Sequence, residues 1–279
     1  MLFTYLGTGA AEGFPAVFCD CEACQKARLL KGKNIRTRSQ ALVDGDLLID
    51  LPADTYAHAV ANGVRLSRVR HLLVTHSHTD HFVPEDLEFR GLAFAPGMED
   101  VPLDIYCNEA VIRRLREVNG GRVYASIEKS LRVHAVRSFE PFTAGEYTVT
   151  PLPARHMATE ESLIYVIEKA GKRLLYGNDT GFFYESVFEY IEREKLVFDL
   201  VSLDCTLVDN PVPDTGTHMG FGQVTRVLER LSVAGAVTKA TRKYVTHFSH
   251  NGNPLQSVLE ERARPLGISV AYDGEKIMI

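Results

Sequence analysis

The chain has 279 residues, of which 45% are hydrophobic and 24% are charged, and its formal net charge is -5. This composition is typical of a soluble globular protein with a sizeable core, and the negative charge argues against a protein that binds nucleic acid through its phosphates. No apolar run reaches the length of a transmembrane helix, and the N-terminal "MLFTYLGTGAAEG" lacks a secretory signal. We therefore expect a cytoplasmic protein that has neither a membrane nor a nucleic acid as its partner.

Short strand patterns dominate the chain and alternate with helical patterns. In chain order, strands are predicted at "LFTYLG" from Leu2, "ALVDGDLLID" with a hairpin turn at Asp44-Gly45, "RHLLVT" to Thr75, "LDIYC", "LRVHAV", "YTVTPL", "LIYVIE", "KRLLYG", "DLVSLD", "KYVTH", "SVAY" and "KIMI". Helices are predicted at "PADTYAHAVANG", "NEAVIRRLREV", "ESVFEYIEREK", "FGQVTRVLERL" and "NPLQSVLEERARPL". In the last helix, Asn253 is the predicted N-cap and Pro254 the first helical residue. Because no flexible linker interrupts the pattern, we predict a single mixed α and β domain over residues 1–279.

The segment "LLVTHSHTDHF" carries four side chains that commonly bind metals, directly after a buried strand. Positions two apart in an extended chain point the same way, so His76 and His78 can bind one ion. A turn after them would place Asp80 and His81 on the other side, where they can bind a second ion. We interpret this segment as part of a dinuclear metal centre rather than as a histidine-rich surface loop.

Two ions need more ligands, and three candidates follow apolar strands elsewhere in the chain. His156 follows "TPLPAR", Asp179 follows "LLYGN" and His247 follows "YVT". A carboxylate suits the position between two ions because its two oxygens can reach both of them. Together, these strand ends predict a rim of loops at one edge of a sheet.

Three of the five cysteines stand together in "CDCEAC" as Cys19, Cys21 and Cys24. Three thiolates need a fourth ligand to complete a tetrahedral zinc site, and His250 can supply it if the N-terminal loop around 19–24 folds over the C-terminal strand end. Cys107 and Cys205 are instead predicted to be core residues. The alternatives are free thiols or a disulfide, and a disulfide is disfavoured by a reducing compartment and by the Cys-x-Cys spacing.

The order of ligand-type residues resembles the metallo-β-lactamase superfamily over nearly the whole chain. The resemblance implies an α/β fold, the αβ/βα four-layer sandwich, in which two mixed sheets are flanked by helices and a dinuclear site lies at one sheet edge. It also implies how the ligands are divided. The first ion would be held by His76, His78 and His156, the second by Asp80, His81 and His247, and Asp179 would bridge the two.

A narrower resemblance is carried by "GTGAAEGFPAVFCDCEACQKAR", "SLDCTLVDNPVPDTGTHMG" and the closing "AYDGEKIMI". These segments are similar to the PhnP-like phosphoribosyl cyclic phosphodiesterases of the carbon–phosphorus lyase pathway. This implies hydrolysis of a small cyclic phosphodiester, such as a 5-phosphoribosyl 1,2-cyclic phosphate, by a hydroxide formed at the dinuclear centre. The implied cofactors are two divalent ions, manganese or zinc and alternatively iron or nickel, together with one structural zinc.

His218 in "THMG" matches an active-site histidine of that family. It could contact the phosphate or protonate the leaving oxygen. The catalytic residues implied by the resemblance are therefore Asp80, Asp179 and His218.

Other polar residues are weaker candidates. Asp50 ends the strand "LLID" and is interpreted either as an orienting partner of a ligand histidine or as a strand-end cap. Arg36 and Arg38 could reach an anionic substrate, but a solvated basic turn is the preferred interpretation. The remaining histidines, His58, His71 and His134, are expected to be structural or to lie on the surface.

Two other classes of function remain open. The segment "AAEGFPAVFCDCEAC" also resembles pyrroloquinoline quinone biosynthesis protein B, an accessory protein whose family departs from the dinuclear motif that this chain retains. Other hydrolases of the superfamily process tRNA 3′ ends or cleave thioesters. The chain has no basic arm insertion for tRNA, and thioester cleavage gives no reason for a zinc loop. The expected partner is a small phosphate ester, and a homodimer is left open.

Overall fold

The computed structural model describes residues 1–91, 93–98 and 100–279, whose strands form two sheets of seven strands each. The first sheet contains β1 (Leu2–Gly7), β2 (Gln40–Val43), β3 (Leu47–Ile49), β4 (His71–Leu73), β5 (Leu103–Cys107), β6 (Leu131–Ala135) and β14 (Lys276–Met278). The second sheet contains β7 (Phe142–Ala144), β8 (Tyr147–Pro153), β9 (Leu163–Lys169), β10 (Lys172–Gly177), β11 (Leu200–Asp204), β12 (Arg242–Thr246) and β13 (Ser269–Val270).

Both sheets are mixed and follow the same plan. The first has the order β14-β1-β2-β3-β4-β5-β6, antiparallel from β14 to β3 and parallel from β3 to β6. The second has the order β13-β12-β11-β10-β9-β8-β7, parallel from β13 to β10 and antiparallel from β10 to β7. Parallel neighbours end at the same edge of a sheet. The segments that follow β3 and β4 therefore lie at one edge of the first sheet, and those that follow β10, β11 and β12 lie at one edge of the second.

Helices flank the two sheets, and the first helix in the chain packs instead on Phe14, Ala16 and Leu255. They are α1 (Glu22–Leu30), α2 (Thr55–Asn62), α3 (Glu109–Glu117), α4 (Arg122–Ile127), α5 (Glu185–Arg193), α6 (Phe221–Val233) and α7 (Gln256–Ala263). Helices α3 and α4 pack on the first sheet, whereas α5, α6 and α7 pack on the second. Among the described residues, no helix combines the length and the apolar character needed to cross a bilayer.

The two sheets face each other across a shared apolar core. Strand β10 shows how the alternation of side chains builds it: Leu174 and Tyr176 point into the layer between the sheets, and Leu175 points to the helices outside. Tyr5 and Tyr165, one from each sheet, lie fully buried in the same inner layer. The predicted αβ/βα sandwich of two mixed sheets is confirmed.

The predicted strands are present, and the hairpin between β2 and β3 turns where expected. Asp44 and Gly45 both adopt a positive φ, 48° and 86°, as a tight hairpin turn requires. Strand β7 was not predicted, because its three residues are too few to show an alternating pattern.

The predicted start of α7 is wrong. The helix begins at Gln256 after an extended Leu255, and Pro254 precedes it. Asn253 adopts a left-handed conformation, with φ 53° and ψ 64°, and closes the short helical turn at His250–Gly252. An N-cap residue needs an extended backbone, whereas asparagine also tolerates the left-handed region, and here it adopts the latter.

The cysteine segment was predicted as a loop, but half of it is helical. Cys21 is the N-cap residue of α1, and Cys24 lies within that helix with its side chain buried. Helix α1 was not predicted, because its short, charged sequence buries only Cys24 and Ala27. Helix α4 was missed for a similar reason, since it has only six residues.

The preferred interpretation of Arg36 as part of a solvated turn is also wrong. Arg36 is only 1% exposed, and burial lowers its pKa to about 10 although Asp273 favours the charged form. Its guanidinium donates hydrogen bonds of 2.6–3.3 Å to Thr8 Oγ1, Gln256 Oε1 and the carbonyl oxygens of Pro254 and Ala271. Arg38 pairs with Asp54. Arg36 therefore joins the N-terminal segment to the C-terminal segment instead of facing a substrate.

We predict that Arg36→Lys lowers the free energy of unfolding by about 3 kcal/mol, because a lysine cannot reproduce the fork of donors and leaves buried acceptors unpaired. Chemical denaturation followed by circular dichroism measures the change. Arg193→Lys is the matched control, since the Arg193 side chain is 65% exposed, and it should change stability by less than about 0.5 kcal/mol. Equal stabilities of the two variants would contradict the bridging role of Arg36.

Candidate metal centre

Four strand ends meet at the edge that the two sheets share. Strand β4 leads into the segment Thr75 to His81, β8 leads to His156, β10 to Asp179 and β12 to His247. Two hydrogen bonds fix the end of β4 against the second sheet: Tyr165 Oη donates to Val74 O at 2.7 Å, and Leu163 N donates to Thr75 O at 2.9 Å. The ligand-type residues predicted from strand ends are therefore brought together.

The first cluster consists of His76, His78 and His156. Nδ1 of His78 lies 3.0 Å from Nε2 of His76 and 3.1 Å from Nε2 of His156. Burial lowers the pKa of His76 well below its usual value, which keeps its imidazole neutral. Three ring nitrogens that converge in this way could hold one metal ion.

The second cluster consists of Asp80, His81, Asp179 and His247, all of them buried. Nε2 of His81 lies 3.1 Å from Asp179 Oδ2 and 3.5 Å from Asp80 Oδ2. Nε2 of His247 lies 3.0 Å from Asp179 Oδ1. Burial alone would raise the pKa of Asp179, but His247 and His81 hold it well below its usual value, so the carboxylate is ionised.

Asp179 also reaches toward the first cluster, because its Oδ2 lies 3.9 Å from Nε2 of His156. The carboxylate thus stands between the two groups of histidines, as a residue that bridges two ions must. The assignment of ligands to the first and the second ion stays a prediction.

Three buried atoms of the second cluster lack a hydrogen-bond partner among the described residues, which bears on whether the cluster suits a metal. His81 Nε2, His247 Nε2 and Asp179 Oδ1 are buried and have no partner in hydrogen-bond geometry among the described residues. A buried polar atom without a partner costs about 1–3 kcal/mol, so three of them at one point call for a bound group. Imidazole nitrogens and a carboxylate are common ligands of divalent transition metals, and the residues fit such ions.

Hydrogen bonds from residues at the ends of first-sheet strands hold the rings of His76 and His81 on the side away from the clusters. Asp50 Oδ2 accepts from Nδ1 of His81 at 2.7 Å, and Thr75 donates its backbone N–H and its hydroxyl to Asp50. The Thr75 hydroxyl lies 3.0 Å from Nδ1 of His76. Asp50 therefore contacts a histidine that is predicted to be a ligand, in agreement with the first of its two sequence interpretations.

The second sheet provides a matching carboxylate, Asp204, which was not predicted. Its Oδ2 accepts from Nδ1 of His218 at 2.8 Å, and its Oδ1 accepts from the Thr206 hydroxyl at 2.9 Å. The same hydroxyl lies 2.8 Å from Nδ1 of His247. The sequence signal was present, since Asp204 ends "VSLD" as Asp50 follows "LLI", but a strand-end aspartate alone is not specific.

His218 lies beside the metal-ligand clusters. Its ring centroid is 4.9 Å from that of His156 and 5.5 Å from that of His247. Burial favours the neutral ring, but Asp204 outweighs it and raises the pKa of His218 to about 9. The ring is therefore protonated near neutral pH in this environment, with Nε2 as the nitrogen not engaged by Asp204. Its catalytic role, like those predicted for Asp80 and Asp179, stays a prediction.

The cysteine cluster lies apart from these residues. The sulfur atoms of Cys19, Cys21 and Cys24 lie within 4.8 Å of one another. Burial raises the pKa of Cys24 to about 11, so a nearby cation is needed to hold it as a thiolate. His250 lines the same cleft of about 590 Å³ as Cys19 and Cys21, but its part as the fourth ligand stays a prediction.

The other cysteines and two further histidines have the surroundings of structural residues. Cys107 and Cys205 are buried in the core. His58 is buried on α2, where its Nδ1 lies 2.6 Å from Gln40 Oε1, and His134 pairs with Asp104 on neighbouring strands of the first sheet.

Comparisons with known proteins agree with the fold. The family model described as "Beta-lactamase superfamily domain" matches residues 46–248. Coenzyme PQQ synthesis protein B of Methylococcus capsulatus is 26% identical over the full length of both chains, and that of Acinetobacter baumannii is 24% identical over 98% of each.

Solved structures are similar over the same length. A "New Diphosphatase from the PhnP Family" has a TM-score of 0.74 and 25% identity, covering 99% of this chain and 96% of that one. Zn²⁺-bound PqqB from Methylobacterium extorquens has a TM-score of 0.73 and 21% identity, covering 100% of both chains. The second likeness concerns the fold alone.

We predict that Asp50→Asn weakens binding of Mn²⁺ to the apoprotein about ten- to hundred-fold, because a neutral amide is a poorer partner for Nδ1–H of His81. Asparagine suits the backbone there, since Asp50 has a φ of 66°. Isothermal titration calorimetry measures the affinity. Asp104→Asn, at the Asp–His pair remote from the centre, is the control and should bind like the wild type. Unchanged Mn²⁺ affinity of Asp50→Asn would show that the carboxylate does not support the site.

Proposed function

Because the chain belongs to the beta-lactamase superfamily, we propose that it is a metal-dependent phosphodiesterase that acts on a small, cyclic phosphodiester. The proposal is supported by a complete set of metal-binding side chains at the shared sheet edge and by the likeness to a PhnP-family diphosphatase, an enzyme that also cleaves a bond between phosphorus and oxygen. The size and cyclic form of the substrate rest on the sequence resemblance to phosphoribosyl cyclic phosphodiesterases.

The observation that carries the proposal is the pairing of His218 with Asp204 beside the metal ligands. Phosphodiester hydrolysis releases an alkoxide, and a protonated imidazole can deliver a proton to that oxygen. Asp204 favours the protonated ring and fixes its orientation, because it accepts the hydrogen bond from Nδ1 and leaves Nε2 for the substrate.

The metal ligands perform the remaining tasks. His76, His78, His156, Asp80, His81, His247 and Asp179 would hold two divalent ions, manganese or zinc in the first place. When bound, such ions lower the pKa of water and stabilise charge on the phosphoryl oxygens. Asp50, Thr75 and Thr206 keep the ligand rings in their tautomers by hydrogen bonds to Nδ1.

A structural zinc at Cys19, Cys21, Cys24 and His250 completes the proposal. In a reducing cytoplasm, where we place the protein, clustered cysteines are expected to bind a metal rather than to form a disulfide. A homodimer is compatible with these assignments and is tested by the mass of the protein in solution.

A second candidate is a role in the synthesis of coenzyme PQQ, favoured by the full-length similarity to the synthesis protein B sequences. Such a protein would share the fold and the cysteine cluster. The intact set of ligands at the sheet edge favours turnover of a substrate over an accessory role.

We predict that the Mn²⁺-loaded protein hydrolyses cyclic phosphodiesters in a panel that also contains linear phosphodiesters and a thioester. Asp179→Ala should lose metal and activity together, because it removes the carboxylate between the clusters. Phosphate-ester products are measured by chromatography, and metal content by mass spectrometry. Thioester cleavage without phosphodiester cleavage would overturn the substrate class, and a metal-loaded protein without any turnover would favour the accessory function.

We predict that His218→Gln lowers kcat/KM for a cyclic sugar phosphodiester by about 10²- to 10⁴-fold. The loss should be much smaller for bis(p-nitrophenyl) phosphate, because its leaving group needs no proton. The wild-type rate on the sugar ester should also fall as the pH rises through the pKa of His218, and this fall should be absent in the variant. His134→Gln, with a side chain that is 43% exposed at the other Asp–His pair, is the control. Equal losses on both substrates would mean that His218 contacts the phosphate rather than donating the proton.

A further inference from the structure

Glu12 makes an unusual set of contacts for an acidic residue of a connecting segment. It lies between β1 and the cysteine cluster, and its Oε1 accepts three hydrogen bonds from one turn of the C-terminal part of the chain. The donors are the Ser249 hydroxyl at 2.6 Å, the backbone N–H of His250 at 3.1 Å and Nδ1 of His250 at 2.9 Å.

The third of these bonds fixes the state of the histidine ring. A carboxylate can only accept, so Nδ1 of His250 donates to Glu12, and in the neutral ring this tautomer leaves the lone pair on Nε2. A carboxylate behind a histidine raises the basicity of the other ring nitrogen toward a metal.

The histidine faces the cleft that the cysteines line. His250, Cys19 and Cys21 border the same space, and Cys24 lies within 4.8 Å of the other two sulfurs. Backbone N–H groups already point at two of these sulfurs, from Cys21 to Cys19 at 3.5 Å and from Ala16 to Cys24 at 3.4 Å. The cysteine side is thus arranged before a fourth ligand is added.

The main chain brings the two segments together but does not orient the ring. Phe248 N donates to Thr8 O, and Ala10 N donates to Phe248 O, both at 3.0 Å. This pairing ends before His250. Beyond Phe248, the Glu12 carboxylate contacts the next two residues, Ser249 and His250, and it bonds to the His250 ring as well as to its backbone.

We propose that Glu12 is the positioning residue that holds His250 as the fourth ligand of a zinc ion at Cys19, Cys21 and Cys24. This rests on the zinc site of the proposed function, but it assigns a separate task to a residue that touches neither the metal nor the cysteines. Glu12 acts through His250, and its removal weakens the zinc site without removing a ligand.

The test uses the full-length protein, loaded with zinc and then, in parallel, with Co²⁺. Zinc release to a chelating dye gives the rate of loss, and the thiolate-to-cobalt charge-transfer band reports the cysteine site specifically. Glu12→Gln should release zinc about ten-fold faster, and Glu12→Ala up to a hundred-fold faster. Both should alter the cobalt spectrum, because the ring of His250 is no longer held in one orientation toward the metal.

Glu22→Gln is the matched control. Glu22 lines the same cleft but pairs with Lys26, and its side chain is 82% exposed, so this variant should release zinc like the wild type. In a His250→Ala background, Glu12→Gln should have no further effect, because the ligand through which Glu12 acts is gone. A purely structural role of Glu12 would instead add its effect to that of His250→Ala.

Three results would overturn the proposal. If Glu12→Gln and Glu12→Ala keep the wild-type release rate and spectrum while Cys19→Ser loses zinc, the site exists and Glu12 does not position it. If the two changes are additive in the double variant, Glu12 does not act through His250. If the wild-type protein gives no thiolate-to-cobalt band, the zinc site itself is wrong, and this outcome is distinct from a failure of phosphodiesterase activity, which the substrate panel measures separately.

Discussion

The candidate centre depends on keeping one nitrogen of each buried imidazole free of a proton and aimed at a common point. Hydrogen bonds to the opposite ring nitrogen impose this constraint, from Asp50 on His81 and from Thr206 on His247. Without these partners a histidine could rotate or change its tautomer, and its Nε2 would no longer serve as a ligand. The orienting groups follow the ends of β3 and β11, so the positions of these histidine rings depend on the positions of the two sheets.

The two sheets use the same arrangement of side chains to orient a histidine ring. In each of them an aspartate at a strand end accepts a hydrogen bond from a histidine ring and from a threonine hydroxyl: Asp50 with Thr75 in the first sheet, Asp204 with Thr206 in the second. The histidines they orient differ in their neighbours. His81 lies against Asp179, whereas His218 stands at the side of the clusters with one ring nitrogen not engaged by the carboxylate. The same arrangement thus orients a candidate metal ligand in one half and a candidate proton donor in the other.

The N-terminal cysteine segment is joined to this centre by short connections. Phe248 pairs with Thr8 and Ala10 directly after His247, and Arg36 is packed against the Phe248 ring. The buried guanidinium of Arg36 contacts Phe248 and Pro254, and the carboxylate of Glu12 contacts Ser249 and His250, so both hold the segment that follows β12. This packing explains why two histidines three positions apart can belong to separate sites, since the turn after β12 directs their side chains into different surroundings.

The sequence by itself determined the strands, the layered α/β class and the residues that gather at the sheet edge, because these depend on local patterns: alternation of apolar residues, and ligand-type side chains placed directly after apolar runs. Asp204, Glu12 and the buried state of Arg36 were decided only by the tertiary structure. Their partners lie far away along the chain, 238 positions in the case of Glu12 and His250, and no local pattern distinguishes a strand-end carboxylate that meets a histidine from one that meets water. The start of α7 belongs to the same class, since Asn253 suits both an N-cap and a left-handed turn, and the packing of the 247–253 segment selected the turn. Local periodicity fixes which residues face inward, but the free energy of a buried polar contact depends on a partner that only the folded chain supplies.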